Sequence, residues 1–154
     1  MEKARRIYPP LRFVKKIIVC FIQNSYLPST FRAQLLRLTG AKVGVGSRIG
    51  ECCIIDSMYP ELVVIGDGTT IAMRCTILTH FMHPEGVFDR RFEKGKIVIG
   101  KKVFIGAHTI ICNSVNIGDG AVIAAGSVVT KNIPPGEIWG GVPARFLKKR
   151  NNSD

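Results

Sequence analysis

The chain has three histidines, His80, His83 and His108, and the first two stand three residues apart in ILTHFMHPEG, residues 77–86. An imidazole titrates near neutrality, so one placed beside an acceptor can take the proton from a hydroxyl or amine as it attacks an electrophile. Three imidazoles are also a sensible ligand set for tetrahedral zinc with an open fourth position. A carboxylate, Asp56, lies in a second stretch, IIDSMYPELVV, residues 54–64. It would hold an acceptor or orient an imidazole, provided the fold brings the two stretches together.

Both stretches interrupt a repeat. Ile99, Ile105, Ile111, Ile117, Ile123 and Val129 fall at every sixth position without a slip. Each is followed by a small or short residue: Gly100, Gly106, Cys112, Gly118, Ala124, Thr130. The fifth positions are Val103, Thr109, Val115, Ala121, Ser127 and Ile133, mostly small or β-branched. Ile65, Ile71 and Ile77 keep the same rule, and a weaker run begins at Val43 and Ile49. A helix would repeat near 3.6 residues and a half-buried strand at 2. A six-residue period predicts a parallel β-helix of triangular section, with three hexads to a coil of about 18 residues. The aliphatic residues would point inward and stack about 4.8 Å apart along the axis. Residues 43–134 have length for about five coils, roughly 25 Å at that spacing.

A solenoid carries its insertions as loops on one face. Ile77 to Ile99 is 22 residues, four more than a coil, and we expect an inserted loop at about 80–98. Ile49 to Ile65 is 16, two short of a coil. In an axial stack these breaks lie near one another, so Asp56 and the histidine loop would share a cleft. His108, in IGAH on a regular coil, is expected on the wall or on a cofactor-facing side.

The segment IGKKVFIGAHTIICNSVNIGDGAVIAAGSVVTKNIPPGEIWGGVPARFL resembles the C-terminal half of the hexapeptide-repeat acyltransferases. The likeness is to the maltose, galactoside and capsular-sugar O-acetyltransferase branch. It covers residues 43 to about 147, and GSVVTKNIPPGEIWGGVPAR is its most specific part. The resemblance implies an all-β fold, a left-handed parallel β-helix, despite the usual right-handed preference of crossovers. It implies acetyl-CoA as co-substrate, a sugar hydroxyl as acceptor, no metal, and one histidine as general base in a ternary complex. His80, in ILTH, matches many capsular-sugar relatives; His83, in HP, resembles the GHP of the galactoside and maltose enzymes with one residue inserted. His80 is preferred and His83 stays open, with Asp56 as the acceptor-binding residue. Ala107, Ala125 and Gly126 sit at corners where a large side chain would block the pantetheine arm. By resemblance, Thr130 and Lys131 lie near the nucleotide end, and Arg145 and Lys148 meet the phosphates. The chain departs from the galactoside enzyme at 107, where that enzyme has serine, so one hydrogen bond to CoA is in doubt. Trp139 would either stack on adenine or seal the last coil. An amine acceptor would need a base too, so N-acetyl transfer to a nucleotide-linked amino sugar remains an alternative, as does a non-catalytic β-helix scaffold. The gamma-type carbonic anhydrases share the prism, but two of their zinc-binding histidines stand close together on one later coil, whereas His108 stands alone.

Of the 154 residues 46% are hydrophobic, and Lys and Arg exceed Asp and Glu by 22 to 11. Residues 1–42 carry nine Lys or Arg against one Glu. We divide the chain into a basic helical cap (1–42), the β-helix (43–147) and a basic tail (148–154). Helices are expected at 11–23 and about 30–38, the second N-capped by Ser29 or Thr30, closing the open end of the prism. The first helix would also rest on an anionic membrane surface. Stacking aromatics do not interleave the basic residues, so nucleic acid is not expected as a partner. The segment 11–23 is too short and too charged to span a bilayer, and no cleavage site follows it, so a cytoplasmic location is expected. The five cysteines show no CxxC spacing; Cys53, Cys75 and Cys112 fill small-residue slots,. A homotrimer is expected, because an outer-corner loop needs a neighbouring subunit to complete a cleft and three-fold symmetry suits a three-faced prism.

Overall fold

A computed structural model describes residues 10–82 and 92–151. Each hexad ends a short strand on its leading aliphatic residue, and successive strands are laid on three walls. The first wall holds β1 (Lys42–Val43), β4 (Val63–Ile65), β9 (Ile97–Ile99) and β12 (Asn116–Ile117). The second holds β2 (Arg48–Ile49), β5 (Thr70–Ile71), β10 (Phe104–Ile105), β13 (Val122–Ile123) and β15 (Glu137–Gly140), and β16 (Arg145–Lys149) closes it in antiparallel pairing. The third holds β3 (Ile54–Ile55), β6 (Thr76–Ile77), β11 (Ile110–Ile111) and β14 (Val128–Val129). Pairing along each wall is otherwise parallel, which makes a β-helix of four coils and part of a fifth.

The six-residue period is the register of these walls. Ile49, Ile71, Ile105 and Ile123 pair in one column, Ile55, Ile77, Ile111 and Val129 in another, and Val43, Ile65, Ile99 and Ile117 in the third. Ile55 completes the weak first run, a hit that the hexad count had not included. Fifth-position residues Val103, Thr109, Val115, Ala121 and Ser127 are buried beside them. The second position must be small because the coils touch there: a Cβ on Gly106 would stand 2.5 Å from the Ala125 nitrogen. Cys53 and Cys75 lie buried in fifth-position slots, and all five thiols are free. Hydrogen bonding to Cys75 and burial push the Cys53 thiol up, and burial does the same to Cys112, so neither is an activated nucleophile,.

Two helices, α1 (Pro10–Asn24) and α2 (Ser29–Arg37), close the first coil. Ala33 and Leu36 of α2 and Ile22 of α1 join the core that the coils enclose. Arg32 is buried with them and spends its guanidinium on backbone carbonyls: Nε donates to Ile49 O at 2.9 Å, and Nη1 to Ser25 O and Leu27 O. Neither Ser29 nor Thr30 caps α2. Pro28 occupies that place, and its carbonyl accepts from the Phe31 and Arg32 amides at 3.0 Å. Pro28 fixes an extended entry that the two hydroxyl residues, already inside the helix, cannot supply. No helix among the described residues is long and apolar enough to cross a membrane.

The breaks are larger than their residue counts suggest. Partners on coils three and four are 18 residues apart, Ile99 with Ile117 for example. Partners on coils one and two, Ile55 and Ile77, are 22 apart, and those on coils two and three, Ile65 and Ile99, are 34 apart. The chain therefore inserts four residues after β3 and sixteen after β6. Counting from Ile49 to Ile65, or from Ile77 to Ile99, compares different walls, which makes the first look like a deletion and shrinks the second. Both insertions leave from the same corner, between the third wall and the first. The larger is an arm whose base pairs β7 (His80–Met82) with β8 (Phe92–Lys94) antiparallel. The wall resumes at Ile97.

If inward stacking holds the coils, Ile105→Ala (0% exposed) should cost about 2–5 kcal/mol in urea unfolding, by lost burial and a cavity. Its neighbour Phe104 on the same strand is 46% exposed, and Phe104→Ala should cost well under half as much. Equal losses would contradict the inward–outward assignment.

Candidate active site

The two insertions bring Asp56 and His80 together at that shared corner. Asp56 follows β3 directly and its side chain is 1% exposed; His80 follows Thr79 at the end of the β6 segment and is 25% exposed. His80 Nδ1 lies in hydrogen-bond contact with Asp56 Oδ2. The same oxygen accepts from Thr79 Oγ1 at 2.6 Å and from the Thr79 amide at 3.1 Å, while Oδ1 accepts from the Met58 amide at 2.8 Å. Burial alone would push the Asp56 carboxyl up. Hydrogen bonds from Thr79, His80 and the Met58 amide, together with the charge of a protonated His80, outweigh it and hold the carboxyl below its ordinary value,. Asp56 is thus a fixed anion, and a proton on Nδ1 satisfies it. The basic lone pair of the neutral imidazole then resides on Nε2.

A second layer braces the imidazole. The Tyr59 ring, from the four-residue insertion, meets the His80 ring edge-on, with centroids 6.2 Å apart at 71°. Lys94 Nζ, from the returning strand of the arm, lies 4.1 Å from the Tyr59 ring centroid, a cation–π distance. Thr79 O accepts from the Gly95 amide at 2.7 Å, which ties the arm to the wall. Thr79, Tyr59 and Lys94 were not read as site residues. Thr79 precedes the histidine and Tyr59 lies inside a break, so their positions were signals; Lys94 carried none.

His83 lies outside the described residues. His108 lies at the next corner, between the second and third walls, exposed and at φ 59°, with its amide donating to Met73 O at 3.1 Å. His80 and His108 are thus separated by the width of the third wall. Among the described residues no group of three His, Cys, Asp or Glu could hold a metal ion.

The cofactor candidates gather about β14. Ala125 and Gly126 form the corner before it, Thr130 and Lys131 the corner after it, and Ala107 lies one coil below, its carbonyl accepting from the Gly126 amide at 2.8 Å. Gly126 has φ 70° and open space where a Cβ would point. The Ala144 amide donates to Val128 O at 2.8 Å, which sets Arg145 beside the same strand. Lys148 is farther away, on β16 opposite Ile138. Trp139 is half-buried against the core and donates to Glu137 at 2.7 Å, so it seals the last coil. Thr130–Lys131 shares the dyad's corner two coils on, roughly 10 Å along the axis at 4.8 Å per coil.

The family model for the hexapeptide repeat of succinyl-transferase matches residues 96–131. YvoF of Bacillus subtilis, which carries an acetyltransferase name, is 36% identical over 141 residues, spanning 90% of this chain and 78% of that protein. The chain belongs to the hexapeptide-repeat acetyltransferases. Galactoside O-acetyltransferase of Escherichia coli is 42% identical over 94 residues, 60% of this chain but 46% of its own length, so the present chain matches just under half of that relative. A solved galactoside acetyltransferase in complex with coenzyme A superposes with a TM-score of 0.68 at 26% identity, covering 100% of this chain and 88% of that one. Membership of this family makes the chain an acyltransferase, and the superposition shows that it shares its fold with the solved galactoside acetyltransferase.

The lowered Asp56 carboxyl has a signed consequence for stability. A carboxyl depressed on folding stabilises the fold above its unfolded value, about 3.9, and that contribution is lost as pH falls through the folded value. Asp56→Asn should therefore destabilise the protein at pH 7, and the gap from the parent should narrow as pH falls below about 4. Thermal melts of both proteins across that range check it. A constant gap would show that Asp56 ionisation contributes nothing to the fold.

Proposed function

We propose that the protein is an acetyl-CoA-dependent O-acetyltransferase acting on a sugar hydroxyl in polysaccharide or oligosaccharide synthesis, with His80 as general base. The observation that carries this reading is the contact between His80 Nδ1 and a buried carboxylate held by three other donors. Acetyl-CoA supplies an activated acetyl thioester. Asp56 keeps the proton on Nδ1 and turns the ring so that Nε2 addresses the acceptor hydroxyl. Nε2 takes the hydroxyl proton as the oxygen attacks, and the imidazolium formed is stabilised by Asp56. The same proton is then available to the departing thiolate, so no group on the protein need be acylated. Thr79 and Met58 keep Asp56 anionic through the cycle.

The open corner at Ala107, Ala125 and Gly126 fits a pantetheine arm laid along the third wall, with Thr130, Lys131 and Arg145 about the nucleotide end and Lys148 beyond. The family resemblance supports a left-handed coil. A homotrimer is supported by the third wall, whose outward Ile54 and Ile110 and neighbouring Met73 are exposed in the single chain. A second subunit against this wall would cover them and complete the cleft. Light scattering should give three times the chain mass; a monomer with full activity would contradict this arrangement.

His80→Ala should lower kcat by about 10² to 10⁴ while CoA still binds. The acid limb of kcat/KM, set by a histidine, should vanish with it. Asp56→Asn should have the smaller effect, and His83→Ala should act mainly on acceptor KM. Free-CoA release measured across a panel of sugars and amino sugars provides the assay. Full activity in the His80→Ala, His83→Ala and double variants would remove the general-base mechanism altogether.

A further inference from the structure

Helix α1 has two apolar sides, and only one is used. Val19 and Ile22 are buried against the cap and Ile18 packs beside them; Gln23 donates to Ile55 O at 3.0 Å on the same side. Lys15 is paired with Glu61 at 3.6 Å. The opposite side presents Phe13 (59% exposed), Val14 (49%), Ile17 (52%) and Phe21 (57%). At 100° per residue these four fall within about a third of the helix circumference. Four large apolar side chains in one stripe exceed the scattered exposure normal for a soluble surface. None of them is needed for the cap, which is made by the other side.

We propose that this stripe is a docking surface for an anionic lipid bilayer, with α1 lying in the plane of the headgroups. The charge of the segment selects this occupant. Helix α1 contains Arg12, Lys15 and Lys16 and no Asp or Glu, and the nine residues before it add Lys3, Arg5 and Arg6 against a single Glu2. Large aromatic and aliphatic side chains on one face of a helix whose only charged residues are Lys and Arg match a headgroup boundary,. Each basic residue near such a surface adds attraction that a neutral membrane lacks. Pairing with the α1 of a second copy fits less well, because it would set like charges against each other. The stripe is on the side of α1 opposite the one that packs on the cap, so the proposal does not rest on the reading of the site.

The test is co-sedimentation of the full chain with vesicles of phosphatidylcholine alone and of phosphatidylcholine mixed with phosphatidylglycerol. Binding should be confined to the anionic vesicles and should weaken as salt is raised. The double variant Phe13→Ser/Phe21→Ser should bind anionic vesicles about tenfold less or weaker, since two exposed aromatic groups no longer enter the interface. Its melting temperature and its turnover of a soluble acceptor should equal the parent's. Failure of the parent to bind anionic vesicles, or unchanged binding by the double variant, would overturn the proposal. A fall in oligomer mass of the variant by light scattering, without loss of lipid binding, would overturn it too, assigning the stripe to contact between copies.

Discussion

Every coil of this protein depends on the backbone ladder to the coils above and below it. A two-residue strand closes no hydrogen bonds of its own, and one coil encloses no core. When the amides of one coil reach the carbonyls of the next, as Thr70 N does to Val103 O at 2.9 Å and Phe104 N to Ala121 O at 3.0 Å, each inward Ile is carried onto its equivalent. Hydrogen bonding and apolar burial are then satisfied by one geometric condition. That condition is severe: after the first and second walls the second position of each hexad lies against the backbone of the next coil and is Gly or Ala throughout. It also leaves two ends to protect, which here fall to the buried Arg32 and Leu36 of α2 at one end and Trp139 with β16 at the other.

Chemistry appears where the condition is relaxed without being lost. Four residues inserted after β3 and sixteen after β6 leave the walls in register, so both insertions issue from one corner on adjacent coils. Asp56 directly follows β3 and His80 lies three residues past the end of β6, and adjacency of the coils makes them neighbours. The rigid ladder fixes Thr79, which donates to Asp56 through both hydroxyl and amide. A carboxylate buried that deeply is tolerated because four donors meet it. The site inherits its precision from the solenoid and its polarity from the interruptions.

Much of this was legible in the residues. The positions of Ile65, Ile71, Ile77 and the run from Ile99 to Val129 are the wall columns, because a hexad register is a direct image of the stacking. The closeness of Asp56 to the histidine loop followed from two breaks in an axial stack. The insertion lengths were not legible, since a linear count does not say which wall a residue lands on. Pro28 in place of a side-chain cap was hidden because Ser29 and Thr30 satisfy the usual pattern one and two residues too late. Tyr59 and Lys94 bracket the imidazole through a ring edge and a cation–π contact, and neither contact has a sequence period. Trp139 packs half-buried against the core, a contact that its place in WGG did not announce.

The central claim is that Asp56 sets the tautomer of His80 so that Nε2 is the basic nitrogen. Long-range nitrogen–proton correlation spectra of the ¹⁵N-histidine-labelled protein, above the histidine pKa, read this directly. The account predicts that neutral His80 carries its hydrogen on Nδ1, with the ¹⁵N shift of Nε2 typical of an unprotonated ring nitrogen, and that Asp56→Asn loosens this preference. A neutral His80 found with its hydrogen on Nε2 and an unprotonated Nδ1 would contradict it.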